Sequence, residues 1–276
     1  MSLRGRPVRL ICPDMSQLRD AYFAATAPRD AETGRLRQLD GFYAAQTQAW
    51  LEDAVAFRPG MKILEAGAGS GGMLTWFARK TGPDGDVLGL DIDLSRAAPA
   101  TPPVRHLQAD LYAPATEPET FDLVYARLVL MHLPDPARAI TALSSWLKPG
   151  GVLAIADLDC STCMPADMDA PGAHEFATAL NAVRTAMQAC ALMDPAFGAR
   201  LPALIGAAGY QGVVERRFER IVEGGSDWAA FMAHNNTMIA PSIDAEAPAD
   251  IVSRHMLSAD TRFHDQTLVC VTARKP

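Results

Sequence analysis

Apolar positions along this chain follow two recurring patterns. Between residues 32 and 57, Leu36, Leu39, Phe42, Tyr43, Trp50, Leu51 and Val55 return at helical spacing and predict a long helix. After Arg58-Pro59-Gly60, short and nearly unbroken apolar runs take over at 62–66, 86–91, 104–109, 121–126 and 152–157, with helical stretches between them. Such runs predict a parallel sheet covered by helices on both faces. Beyond residue 157 the alternation stops. A loop-like Cys-Ser-Thr-Cys-Met-Pro leads into a helix over 175–193, with Phe176, Leu180, Val183 and Met187 on one face. The sheet pattern returns with a short helix at 201–208 and a strand at 213–221, breaks again over 226–259, and ends with a strand at 267–272. Residues 1–30 carry little pattern and read as an irregular arm.

Where the first strand ends, the chemistry begins. Glu65 is followed by Gly67, Gly69, Gly71 and Gly72, and an apolar-periodic stretch starts at Met73. A strand, a glycine turn and a helix start predict bare backbone N–H groups facing a ligand. Gly67, Gly69 and Gly72 also fit the dinucleotide pattern G-x-G-x-x-G. Glu65 separates the two possibilities, because a carboxylate there would repel a pyrophosphate and attract a cation. Asp91 closes the second strand about twenty residues beyond the glycines, the separation suited to ribose hydroxyls. Asp110 closes the third, where it would accept from an exocyclic amine. Taken singly, Asp91 and Asp110 are equally explained as caps or turn residues.

Composition narrows the field. The chain has 276 residues, 49% of them hydrophobic and 21% charged, enough for one large α/β domain with a core that needs no disulfide or metal. A formal net charge of −7 disfavours a nucleic-acid partner. No apolar run is long enough to suggest a membrane span. The first fifteen residues lack a signal-peptide core, and the expected location is cytoplasmic. Five scattered cysteines suit reduced thiols. Cys160 and Cys163 form a C-x-x-C with no second pair or spaced histidine, so buried thiols are expected and no metal site.

In order along the chain, MKILEAGAGSGG, LGLDID, HLQADLY, FDLVYAR with LVLMHLPDP, and LKPGG resemble the class I methyltransferases that use S-adenosylmethionine. The specific motifs cover about residues 35–160. The resemblance implies an α/β fold, a doubly wound and mostly parallel seven-stranded sheet with the last strand antiparallel, carrying a helical cap. It implies that residues 58–160 form the cofactor-binding core, that 1–57 and 161–200 contribute to the cap, and that 201–276 complete the sheet around a second cap insertion at about 226–260. S-adenosylmethionine is the implied cofactor. Glu65, Ala66, Gly67 and Gly69 would sit at its methionine end, Asp91 on the ribose, Ile92 on the adenine face, Asp110 and Leu111 at the adenine edge, and Ala126 and Arg127 near the sulfonium. Tyr43 and Gln46 would close over the methionine end.

The acceptor is less legible. Ala-Arg-Leu-Val after the fourth strand is neither the motif of adenine or glutamine amino methyltransferases nor the Pro-Cys of cytosine-C5 enzymes. No metal triad of the catechol type is evident. A small, hydrophobic acceptor is expected, with O-methylation ahead of N- and C-methylation. Met164, Met168, Met187, Met193, Phe231, Met232 and Met238 are candidates to line its pocket, although core packing is the better explanation for any one of them. His132 and His234 are the candidate bases, with His174 behind them. Two rivals stand beside this reading: an NAD(P)-dependent oxidoreductase, and a non-catalytic methyltransferase-fold protein that binds or regulates. The oligomeric state stays open, a homodimer among the alternatives.

Overall fold

The computed structural model describes residues 29–113 and 117–276, so the predicted arm at 1–30 lies outside the described residues except for its last two, which open the first helix. Helix α1 (Arg29–Ala54) precedes β1 (Lys62–Ala66), α2 (Gly72–Thr81), β2 (Asp86–Asp91), β3 (Val104–Gln108) and β4 (Phe121–Arg127). Then come α3 (Pro136–Trp146) and β5 (Leu147–Asp159). Each strand of this half is positioned by its apolar run. In β1 everything after Lys62 is buried, and β4 buries Phe121, Leu123, Val124, Tyr125 and Ala126 completely. Helix α3 starts where the sequence dictates: the Asp135 side chain accepts from the Arg138 N–H and proline occupies the first turn.

The main sheet runs β3-β2-β1-β4-β5-β10-β7, with β7 at Gln211–Phe218 and β10 at Thr267–Arg274. The pairs β1–β2, β1–β4, β2–β3 and β4–β5 are parallel. The last strand is antiparallel to both neighbours, inserted between β5 and β7. This is the expected seven-stranded topology, and its order reverses beside β1, where β4 begins the second half. Ligands of open α/β sheets bind at that switch point, beyond the strand carboxyl ends.

The strand expected over 213–221 is broken. β7 ends at Phe218, and Ile221–Glu223 (β8) leaves for a second sheet of order β6-β9-β8, with β6 at Met164–Pro165 and β9 at Arg262–His264. Arg220 sits at the break, and its guanidinium holds the buried Asp265 carboxylate at 2.7 Å. The small sheet ties the first insertion, through β6, to the end of the second, through β9. Helix α4 (Ala173–Ala189) packs on α7 (Glu246–Leu257), which also packs on α6 (Asp227–Ile239). Helix α5 (Phe197–Ala207) returns to the main sheet against β5 and β10. No helix among the described residues is long and apolar enough to cross a membrane.

Candidate functional site

A cavity of about 330 Å³ opens at the switch point, lined by the glycine loop, the ends of β1, β2 and β4, and Leu36, Leu39 and Asp40 of α1. Gly67 and Gly69 have φ of +70° and +54°, conformations that favour glycine. A Cβ on Gly69 would point into open space, the cavity itself, whereas one on Gly67 would collide with Val129. The loop's N–H groups are not bare, contrary to the sequence reading. Gly67 and Ala68 donate to the Leu90 carbonyl at 2.8 and 3.1 Å, Gly71 to the Ala68 carbonyl at 2.8 Å, and Gly69 to the Asp91 carboxylate at 2.7 Å. These glycines clear space for a ligand more than they cradle an anion.

The wall is acidic. Asp40, Glu65, Asp91, Asp93 and Asp110 line the cavity beside two guanidiniums, Arg96 and Arg127. Arg96 pairs with Asp93 at 2.9 Å and Arg127 with Asp40, so Glu65, Asp91 and Asp110 have no ion-pair partner among the described residues. Asp91 is held in place from behind: one oxygen accepts from Gly69 N–H and the other from Asp93 N–H at 2.9 Å. Asp110 is exposed, fixed by the Tyr112 N–H at 2.9 Å. Ile92 stands 65% exposed at the cavity, an apolar face open to a planar ligand. Leu111 lines the same end.

Glu65 is 4% exposed, and its Oε2 is buried without a hydrogen-bond partner among the described residues. Burial pushes its carboxyl well above the usual range, Arg127 partly offsets this, and the charges of Asp40 and Asp91 add to the rise. A cationic ligand group would satisfy Oε2 and restore the charge. An orphaned buried carboxylate oxygen, an open Gly69 and a mostly acidic wall fit S-adenosylmethionine.

Several expected residues sit elsewhere. Ala66 and Ala126 are register partners within the sheet, fully buried, and line neither cavity described here. At the end of β4 and just beyond it, the cavity is lined instead by Arg127, Leu128 and Val129. Gln46 is half-buried and lines neither cavity; on α1 the positions one to two turns earlier, Leu39 and Asp40, reach the site. Asp40 escaped sequence reading because nothing local marks it. Its carboxylate holds Arg127 and accepts from Ser70 Oγ at 3.0 Å, joining α1 to the glycine loop.

A second cavity of about 110 Å³ adjoins the first, and Leu39, Leu128 and His132 line both. Leu128 takes φ +55°, a strained conformation for a non-glycine residue. The second cavity is mainly apolar, with Leu158 at the end of β5 and Met187, Met193, Trp228, Phe231 and Met232 from the cap. Tyr43 belongs here and not to the first cavity. Of the seven apolar cap candidates, Met187, Met193, Phe231 and Met232 line it, while Met164, Met168 and Met238 do not.

The two candidate bases separate. His234 is exposed and lines neither cavity, as does His174, whereas Asn235 and Asn236 line the second. The inward stripe of α6 runs through Trp228, Phe231, Met232, Asn235 and Ile239, and His234 falls one helical step of about 100° away from it. His132 is half-buried on the wall shared by the cavities. Burial lowers its pKa to about 4, so the ring is neutral at neutral pH. Nδ1 lies 3.4 Å from the Leu192 carbonyl, which only accepts, and this places the ring proton on Nδ1 and the lone pair on Nε2. The turn carrying His132 is anchored by Asp157, fully buried at the end of the apolar part of β5, whose Oδ2 accepts from Leu130 N–H at 3.1 Å. Burial raises Asp157 to about 8 against the backbone donors of that turn.

The sequence pattern of the family described as "Methyltransferase domain" matches residues 36–196. The chain is 39% identical over 120 residues to methyltransferase str2 of Strobilurus tenacellus, an overlap of 43% of each chain. It is 32% identical over 182 residues to methyltransferase str3 of the same organism, covering 66% of this chain and 64% of the relative. It therefore spans between about two fifths and two thirds of the length of these curated relatives. Among solved structures, phosphoethanolamine N-methyltransferase 2 of Haemonchus contortus, in complex with phosphomonomethylethanolamine and S-adenosylhomocysteine, superposes with a TM-score of 0.55 at 16% identity, over 94% of this chain and 60% of that one. At that identity the likeness is one of fold. With the matched segment covering more than half of its length, the chain belongs to the methyltransferase family that the glycine loop and its three acids first suggested.

Proposed function

We propose that this chain transfers the methyl group of S-adenosylmethionine to a small, apolar acceptor, an oxygen in the first instance. The observation that carries the reading is the shared wall: an acidic, glycine-lined cavity meets an apolar one at Leu39, Leu128 and His132. A donor and an acceptor bound on the two sides would meet at that wall. When bound, S-adenosylmethionine supplies a sulfonium-activated methyl, so alignment of the acceptor accounts for much of the catalysis. Glu65 takes the ammonium end, Asp91 the ribose hydroxyls, Ile92 the adenine face and Asp110 its amine. His132 Nε2 would receive the acceptor's hydroxyl proton, leaving the acceptor oxygen free to take the methyl that the sulfonium gives up. Its low basicity makes this a modest contribution, and His132→Gln is expected to lower kcat about 10- to 100-fold.

Oxygen is favoured over nitrogen by the wall itself. Among the described residues lining the second cavity Arg35 is the only lysine or arginine and there is no carboxylate, so the wall offers an ammonium acceptor no anionic partner. A phosphobase such as the one in the Haemonchus structure would bring a dianion, which calls for several cations. One guanidinium is a poor match. The test is incubation with methyl-labelled S-adenosylmethionine and a panel of small hydroxy, amino and carbon acceptors, read by mass spectrometry. Labelled ethers or esters support the reading, and label confined to amines moves the acceptor atom to nitrogen.

A further inference from the structure

Besides Trp228 Nε1, which lies by the Asp265 carboxylate, two polar atoms of residues lining the second cavity are buried without a hydrogen-bond partner among the described residues, the Tyr43 hydroxyl and Asn235 Oδ1. Leaving such groups unpaired in the interior is costly, so a built site is the natural explanation for a pair of them in one cavity. Tyr43 is closed off from water. Tyr43 is 2% exposed, with its ring edge-on to Trp228 at 5.4 Å. Trp228 is covered in turn by the Arg220 guanidinium at 4.6 Å, which is fixed by Asp265. Asn236, the neighbouring amide, is different: its Nδ2 donates to the Met232 carbonyl at 2.9 Å, a bond internal to α6.

The chemistry of the two groups is complementary. Burial, reinforced by the charge of Asp265, raises the Tyr43 phenol well above its usual pKa, so it remains an O–H donor. An amide oxygen only accepts. The space between the apolar walls is about 110 Å³ and joins the first cavity, on the order of the ~150 Å³ cavity that takes one benzene. Resting on the reading of this cavity as the acceptor site, we propose that Tyr43 and Asn235 form a polar clamp selecting a neutral hydroxylated acceptor whose buried part is no larger than a single six-membered ring. Tyr43 donates to an oxygen of the acceptor, and Asn235 accepts from one of its O–H groups. Because Tyr43 stands on the helix that also carries Leu39 and Asp40 into the donor cavity, the clamp sets the acceptor's position relative to the donor site.

Calorimetric titration of the S-adenosylhomocysteine-loaded protein with phenol, toluene and 2-naphthol tests the clamp. Phenol is expected to bind the wild type, to bind Tyr43→Phe and Asn235→Leu about tenfold more weakly, and to be preferred over 2-naphthol; toluene is expected to bind all three proteins alike. Equal phenol affinity across the three proteins, no phenol binding, or equal affinity for 2-naphthol would overturn the proposal. Loss of S-adenosylhomocysteine binding in Tyr43→Phe would also overturn it, by returning Tyr43 to the donor site. Failure of the wild type to bind S-adenosylhomocysteine at all would instead sink the underlying assignment of the donor cavity.

Discussion

Arg127, at the end of β4, is paired with Asp40 on α1, 87 positions earlier in the chain. The Arg127 side chain is 8% exposed, so the helix before the sheet closes the acidic cavity by burying a charge that only Asp40 neutralises as an ion pair among the described residues. Asp40→Ala leaves that charge unpaired. The variant is expected to lose about 3 kcal/mol of stability in urea unfolding and to bind S-adenosylhomocysteine more weakly, because Ser70 also loses its partner. Neutralising the exposed Arg58, which faces Asp122 at 3.1 Å, is expected to cost under about 1 kcal/mol. Equal losses in the two variants would show that the buried pair closes nothing.

Gly69→Val places a branched side chain in the donor cavity at φ +54°, where nothing else lies within 4 Å. Cofactor binding is expected to vanish while circular dichroism stays close to native. A normal titration of that variant would remove the cavity from consideration.

Asp91 grips the Gly69 N–H and faces the cavity at once. Asp91→Ala is expected to weaken S-adenosylmethionine by about 1–3 kcal/mol, the cost of unpairing groups from a charged acceptor. An unchanged dissociation constant would move the ribose elsewhere.

His132 gives the acid limb of stability a definite sign. Its folded pKa of about 4 lies below the ordinary 6.5, so the folded state holds fewer protons in that window. The contribution, about 3 kcal/mol, is complete above pH 6.5 and is lost as the pH falls towards 4. Asp157, raised to about 8, acts in the opposite sense, its contribution fading as pH rises through that value. The difference between the wild-type and His132→Gln stability curves isolates the histidine, and parallel curves between pH 4 and 6.5 would contradict its assignment.

The sequence was most legible where a single local signal decides the structure. The bounds of β1 and β2 at 62–66 and 86–91 agree residue for residue with their apolar runs, each flanked by glycine, proline or acid. The small sheet was invisible because strands of two or three residues show no alternation, and the break after Phe218 depends on the distant Arg220–Asp265 pair. At the site, Glu65, Asp91 and Asp110 announce themselves at strand ends. Asp40 and Asp157 do not, since one acts through a long-range ion pair and the other is an acid at the close of an apolar run. His234 shows the remaining weakness, because adjacent helical residues differ in direction by about 100°, enough to put Asn235 inside and His234 out.

Calorimetry of the wild-type chain with S-adenosylhomocysteine and with NAD tests the central claim most directly. The acidic wall, the orphaned Glu65 oxygen and the internally bonded glycine loop predict saturable binding of one S-adenosylhomocysteine per chain and no heat with NAD. Binding of NAD, or silence with S-adenosylhomocysteine, would contradict the account.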